Sequence, residues 1–333
     1  MGANSSRRES KLSSLQHATR KECVEDYLDS IYPYPFTAPP ASCPFDPASC
    51  SSDPTSRSSD PASVSSITQC TGRRPLSYSV GAAYFHALML RGIDVDGSEL
   101  PSGIEVLLRQ IHEDTSETHI PPSIFSTIWV RDTSPNEATF GLTLPFLVME
   151  WIYTIPMVKL AINAQWNTLP LPASDQLILA FPKPGLTLGI RMGAFGNSIK
   201  LASIPNYALP LPCDPTFAFP IITMESKTYD ITDSRAQNLH NASIMLRNLS
   251  VVANMETIKV FTVSIGMTEI ETRVHWITNS AQPEYHFATI GTVYLTNQPI
   301  SWLMARKSLE STVRFAYNSY VPILNSAIAE YQV

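Results

Sequence analysis

A low-complexity stretch, residues 30–72, separates a part of this chain that can build a core from a part that cannot. Tyr32-Pro33-Tyr34-Pro35-Phe36-Thr37-Ala38-Pro39-Pro40 favours extended, polyproline-like backbone, because each proline fixes its own φ and restrains the residue before it. Pro-Ala-Ser-Cys follows twice, ending at Cys43 and Cys50, and Asp-Pro-Ala-Ser occurs at 46–49 and 60–63. Sequence so rich in Ser, Pro and Asp buries too little apolar area to offset the entropy of ordering it. A disordered linker is expected here.

From about residue 73 the pattern becomes globular, and the chain's hydrophobic fraction of 44% is enough for a sizeable core. Strand-like runs fall at 76–90, 124–130, 139–155, 176–181, 186–192, 199–204, 217–223, 257–267, 269–278 and 284–295. Alternation is clearest at 269–277, where Ile270, Val274 and Trp276 can share one face. Three segments have helical spacing. The first opens on Ser102-Gly103-Ile104-Glu105, a capping-box pattern. The second spans about 234–253, with Leu239, Ala242, Leu246, Leu249 and Val252 in register. The third spans about 301–319, with Trp302, Leu309, Val313, Ala316 and Tyr320 on one stripe. Stripes of this kind are core.

These elements predict a β-rich α+β fold, one or two β-sandwich-like domains with a few helices, behind a disordered N-terminal tail. The expected organisation is a basic N-terminus over 1–29, the linker over 30–72, a β-rich domain over 73–204, and a second, with two helices, over 221–333. The junction is placed at 205–220, where Pro205, Pro210, Pro212, Pro215 and Pro220 cluster. The most apolar stretch, 140–162, is interrupted by Pro145, Glu150, Pro156 and Lys159, whereas a bilayer-spanning helix needs about 20 largely uncharged apolar residues. Buried strand is expected there. Glu150 fits a turn or an outer sheet face better than a buried reactive carboxylate.

Charge narrows the function classes. The net charge of −6 disfavours wrapping of nucleic acid over a broad face, which takes a basic excess. Cys23, Cys43, Cys50, Cys70 and Cys213 form no C-x-x-C pair, so zinc-ribbon and thioredoxin-like readings lack support. An odd number of cysteines without a secretory signal fits free thiols in a reducing compartment. His112 and His119 are close in sequence, but beside Glu113, Asp114 and Glu117 they read as a solvated loop. No G-x-S-x-G elbow, Walker loop, dinucleotide fingerprint or H-E-x-x-H occurs, so no catalytic residue, metal or cofactor is expected.

The most informative residues are the first ones. Met1-Gly2-Ala3-Asn4-Ser5-Ser6 fits the N-myristoylation pattern, with Gly2 as the acylated amine and Ser6 in the sixth position. One myristoyl chain gives only marginal, reversible binding, so a second signal is needed. Arg7, Arg8, Lys11, Arg20 and Lys21, against Glu9 and Glu22 alone, supply it at roughly 1 kcal/mol each near an anionic leaflet. Cys23 is a further candidate for acylation.

Residues 32–40 resemble the late-domain peptides of enveloped viruses, which recruit host scission machinery. Thr37-Ala38-Pro39 matches three residues of the Pro-Thr-Ala-Pro type, Phe36 standing where its first proline belongs. Gln282-Pro283-Glu284-Tyr285-His286, followed by Gly291, Tyr294 and Leu295, is similar to a segment of vesiculovirus matrix proteins. The plan of acylatable basic end, Pro-rich tail and β-rich body likewise resembles matrix proteins of enveloped negative-strand RNA viruses. These resemblances imply a non-enzymatic, self-assembling protein under the anionic inner leaflet of the host membrane and in the virion. It would drive assembly and budding, with the nucleocapsid and host budding machinery as further partners. Lys183, Arg191, Lys200, Arg306, Lys307 and Arg314 are candidates for a basic patch on the folded body. The alternative is a capsid or movement-type viral protein without a membrane anchor. A third reading, an enzyme with a site of scattered residues, lacks any recognised constellation.

Overall fold

The computed structural model describes residues 82–331 apart from 114–119, 135, 167–178, 197–200, 202–203, 205–215, 229, 254–257 and 279–282. The chain divides into two units, Met1–Arg73 and Arg74–Val333, and everything below belongs to the second.

Helices dominate the first third of that unit. They are α1 (Ala82–Met89), α2 (Glu105–Glu113), α3 (Pro122–Thr133), α4 (Glu137–Phe140) and α5 (Thr143–Val148), followed by a 3-10 turn at Ile152–Thr154. Here the structure corrects the sequence reading. Runs 76–90, 124–130 and 139–155 were expected as strand, and their described residues are helix and turn. Short apolar runs without strict alternation suit either element, and the caps decide. Pro122, with its φ preset, starts α3, and Asn136 caps α4 by accepting from the Thr139 amide at 3.0 Å.

The strands come later: β1 (Val158–Ile162), β2 (Leu186–Arg191), β3 (Phe217–Ser226), β4 (Val260–Ile265), β5 (Glu269–Thr278) and β6 (Glu284–Tyr294). They form one six-stranded sheet in sequential order, antiparallel except for the parallel pair β3–β4. A parallel pair needs a crossover, and α6 (Ile231–Leu249) supplies it. Asp230 caps α6, accepting from the Thr232 amide at 2.8 Å, and Arg247 lies in its last turn. The last helix, α7 (Pro299–Glu330), buries Trp302, Leu309, Val313, Ala316 and Tyr320 as its stripe predicts, and Pro322 sits on its exposed side.

The α+β class holds, with helices and one mixed sheet. The described strands do not pack as a sandwich, because the layers against the sheet are helices: α6 lies on β3, β4 and β5, and α7 lies on β3 and β6. The proline-rich stretch 205–220 leads from the β2–β3 connection into β3, where Pro220 lies opposite Gly189, and β2 and β3 pair directly within one sheet.

The two faces of the sheet differ in chemistry. Toward α7 the layer is apolar, with Phe261 packed on Phe315 and Tyr320 at ring separations of 6.2 and 6.5 Å. Toward α6 it is polar. Asn238 donates to Val263 O (3.0 Å) and Ser264 Oγ (2.9 Å), Asn241 donates to Glu225 Oε1 (3.0 Å), and Thr262 Oγ1 lies 2.8 Å from His275 Nε2. Arg235 reaches Glu271 Oε2 at 2.7 Å, and Arg273 also donates to Glu271. Buried polar groups must find partners in a dry layer, and these find one another.

Candidate functional site

The most perturbed of these groups, Glu225, His240 and His275, are buried polar side chains on and around α6. Burial lifts the Glu225 carboxyl to about 8, against opposing hydrogen bonds from Asn241 and Gly185 and the charge of Lys227. Burial, with Arg91 nearby, drops His240 to about 3, and Tyr84 Oη lies 2.9 Å from its Nδ1. His275 falls well below its usual range through burial and the Arg273 charge. Glu225, His240 and His275 are 4%, 4% and 3% exposed, so solvent and substrate do not reach them. This layer is structural.

A second cluster holds Tyr285 and His286. Tyr285 donates its amide to Gly92 O and accepts from the Asp94 amide, both at 2.8 Å, so the chain after α1 closes the β6 edge of the sheet. His286 Nδ1 lies 3.2 Å from Ser98 Oγ and its Nε2 2.8 Å from Thr278 Oγ1, while its ring stacks on Trp276. Ser98 Oγ donates to Asp94 Oδ2 at 2.7 Å. The residue types are those of a hydrolytic triad, but the order is wrong for one. The carboxylate takes the serine proton directly and does not orient the imidazole. The cluster fastens a loop to an edge strand.

The opposite edge is different. The Trp151 indole donates to Leu147 O at 2.8 Å, fixing the start of the 3-10 turn. Ile152, Tyr153, Ile155, Pro156, Met157, Val158, Lys159, Leu160 and Arg191 line an open groove of about 430 Å³ along β1. Arg191 arrives from β2 because Val158 pairs with Ile190, and its amide donates to Met157 O at 2.7 Å. Tyr153 is 82% exposed, Ile162 50% and Met157 41%, an unusual concentration of large apolar side chains facing water. Lys159 Nζ donates to Thr216 Oγ1 at 2.6 Å, and Arg314 Nη2 donates to Thr154 Oγ1 at 2.7 Å on the neighbouring turn. The lining thus contains two cations and no carboxylate, on a chain of net charge −6.

The backbone here is unusual as well. Glu150, Met157 and Asn163 have φ of 71°, 69° and 49°, and they are the non-glycine residues in left-handed conformation among those described. Asparagine tolerates that region, but for Glu and Met it costs of order 1 kcal/mol or more, and such strain concentrates at working surfaces. Glu150 does sit at a turn, as expected. It accepts from the buried Arg306 guanidinium at 2.9 Å.

The six basic candidates of the folded body do not act alike. Arg191 lines the groove and Arg314 joins the turn beside it. Arg306 is buried against Glu150 and Ser123, Lys307 is half-buried, Lys183 is exposed, and Lys200 lies outside the described residues. Gly2, Arg7, Arg8, Lys11, Arg20, Lys21 and Cys23 also lie outside them. So do Tyr32, Pro33, Tyr34, Pro35, Thr37, Ala38, Pro39 and Pro40, and the remaining cysteines.

No protein-family model matches this chain, and no curated protein does.

Sequence reasoning noticed Lys159 only as an interruption of an apolar run and Arg191 only as one of six scattered cations. A lysine amid Tyr153, Met157 and Ile162 was the available signal: a charge inside an apolar run marks an edge strand or a face that meets something other than core.

Proposed function

We propose that this protein is an acylated peripheral membrane protein, a viral matrix-type scaffold that self-assembles beneath a host membrane and supports assembly and budding. The single observation that carries the reading is Gly2 in an N-myristoylation pattern with Arg7, Arg8, Lys11, Arg20 and Lys21 beside it. The physics is additive: an acyl chain alone dissociates readily, and five nearby cations add roughly 1 kcal/mol each at an anionic surface. Assembly then multiplies weak anchors, since neighbouring copies on one lattice hold each other at high effective concentration.

The Pro-rich peptide at 32–40 supports a role in recruiting host factors, because an extended, low-entropy peptide is a good ligand for aromatic-lined grooves. The described residues contain no helix long and apolar enough to cross a membrane, and attachment through the N-terminus needs none.

The test is flotation of wild-type chain and the Gly2→Ala variant, each made in eukaryotic cells. The reading expects wild type to float with membranes and Gly2→Ala to remain largely in the soluble fraction. Equal flotation of the two removes the anchor from the account.

A further inference from the structure

We infer that the β1 groove is a second docking face for the anionic surface of a lipid bilayer, with Tyr153 and Met157 entering the interface while Lys159 and Arg191 meet headgroup phosphates and carboxylates. The inference rests on the membrane reading above and names the part of the folded body that would face the leaflet.

Three independent observations converge on it. The first is composition: a tyrosine and a methionine of the groove lining, Tyr153 and Met157, are each at least two-fifths exposed. A tyrosine exposes an apolar ring with a polar tip, which suits the boundary between acyl chains and water. The second is charge: the groove lining holds Lys159 and Arg191 and no acidic residue, although the whole chain is acidic. A protein whose net charge would repel an anionic leaflet can approach it only through a local positive face. The third is the backbone. Met157 is held left-handed between Pro156 and β1, with its carbonyl tied to the Arg191 amide, so the strained residue presents an apolar side chain beside a cation. A segment that served only as core would have no reason to keep that strain.

A protein partner adding a strand to β1 is the competing use of this edge. Lys159, the second residue of β1, opposes it, because lysine on an edge is a common guard against strand pairing. The cation suits a headgroup layer better than a pairing strand.

The test uses the full chain made in bacteria without an acyltransferase, so that Gly2 cannot contribute. Partition onto vesicles of 30% phosphatidylserine in phosphatidylcholine is compared with pure phosphatidylcholine, in 100 mM salt. Arg191→Glu is expected to lower partition onto the anionic vesicles at least fivefold, and Tyr153→Ser at least threefold. Arg109→Glu, the same charge change on the exposed face of α2, is expected to alter it less than twofold. All positions are exposed, and unchanged circular dichroism verifies folding. Equal losses from Arg191→Glu and Arg109→Glu would overturn the inference, because the effect would then be net charge. Wild-type binding by both groove variants would overturn it too. So would groove variants that lose only self-association. The two readings fail separately: groove variants that bind normally while Gly2 is acylated sink the docking face and keep the anchor, and groove-dependent binding by a chain never acylated in cells does the reverse.

Discussion

Arg306 on α7 donates to Glu150 Oε2 at 2.9 Å and to Ser123 Oγ at 2.6 Å, pinning the strained turn before the groove to the last helix and to α3. Arg306 is 6% exposed, and Glu150 is the carboxylate that pairs with it. Glu150→Ala is expected to destabilise the fold by about 3 kcal/mol, because it leaves a buried guanidinium with one hydroxyl. Glu150→Gly should cost about 1 kcal/mol less, since glycine carries no penalty at φ 71°. Urea unfolding of the two variants checks both the size and the order, and an alanine variant at least as stable as the glycine one would contradict the account.

The polar layer sets a pH dependence with two limbs. Glu225 is raised from 4.5 to about 8 by burial, so between those values the folded chain keeps a proton that the unfolded chain has released. Stability therefore falls as pH rises through that window. His240 and His275 are pushed below 6.5 by burial, so the unfolded chain binds protons that the folded chain does not, and their contribution is lost as pH falls below 6.5. Two histidines outweigh one carboxyl below that point. Stability should peak near about pH 6.5 and decline toward about pH 8.

Glu225→Gln tests the upper limb. Relative to wild type, the variant should gain stability between about pH 5 and about pH 8.5, by an amount of the order of a few kcal/mol. Asn241 Oδ1 is buried without a partner, an acceptor that a protonated Glu225, or the glutamine amide, can fill if the Asn241 amide turns over. Chemical denaturation at three pH values measures this. An identical pH profile for the two chains would refute the assignment.

Gly189 has no room for a side chain. A Cβ there would lie 2.4 Å from Phe217 Cε1 and 3.0 Å from Phe219 O, at the irregularity where β2 shifts register against β3. Gly189→Ala is expected to cost about 1–3 kcal/mol through overpacking. A melting temperature unchanged from wild type would contradict the packing described.

His286→Ala should loosen the loop on β6. With Ser98 and Thr278 each losing a partner, the Asp94 and Ser98 amides are expected to exchange about fivefold faster, the consequence of losing about 1 kcal/mol locally. Hydrogen exchange of the 92–98 peptide reads it directly, and unchanged protection there would show that the clasp holds nothing.

The sequence made the second half of this fold legible, and in the first it marked α2 and β2 but read α1, α3, α4 and α5 as strand. Strands β3 to β6 were visible because β-branched and aromatic residues recur between turns, and α6 and α7 because Leu239, Ala242 and Leu246, then Leu309, Val313 and Ala316, keep helical spacing. Ile124–Val130 buries five of its seven side chains, and Pro122, which favours a helical start, was outweighed by the β-branched content. The groove was unreadable for a different reason. Met157 and Arg191 are far apart in sequence, and only the pairing of Val158 with Ile190 brings them together. Its cue, Lys159 within an apolar run, has meaning only once β1 is known to be an edge.

Intact mass of the protein isolated from eukaryotic cells tests the central claim most directly. The account predicts loss of Met1 and a gain of about 210 Da, the mass of one myristoyl group on the Gly2 amine. A mass equal to the des-Met chain with nothing added would contradict it.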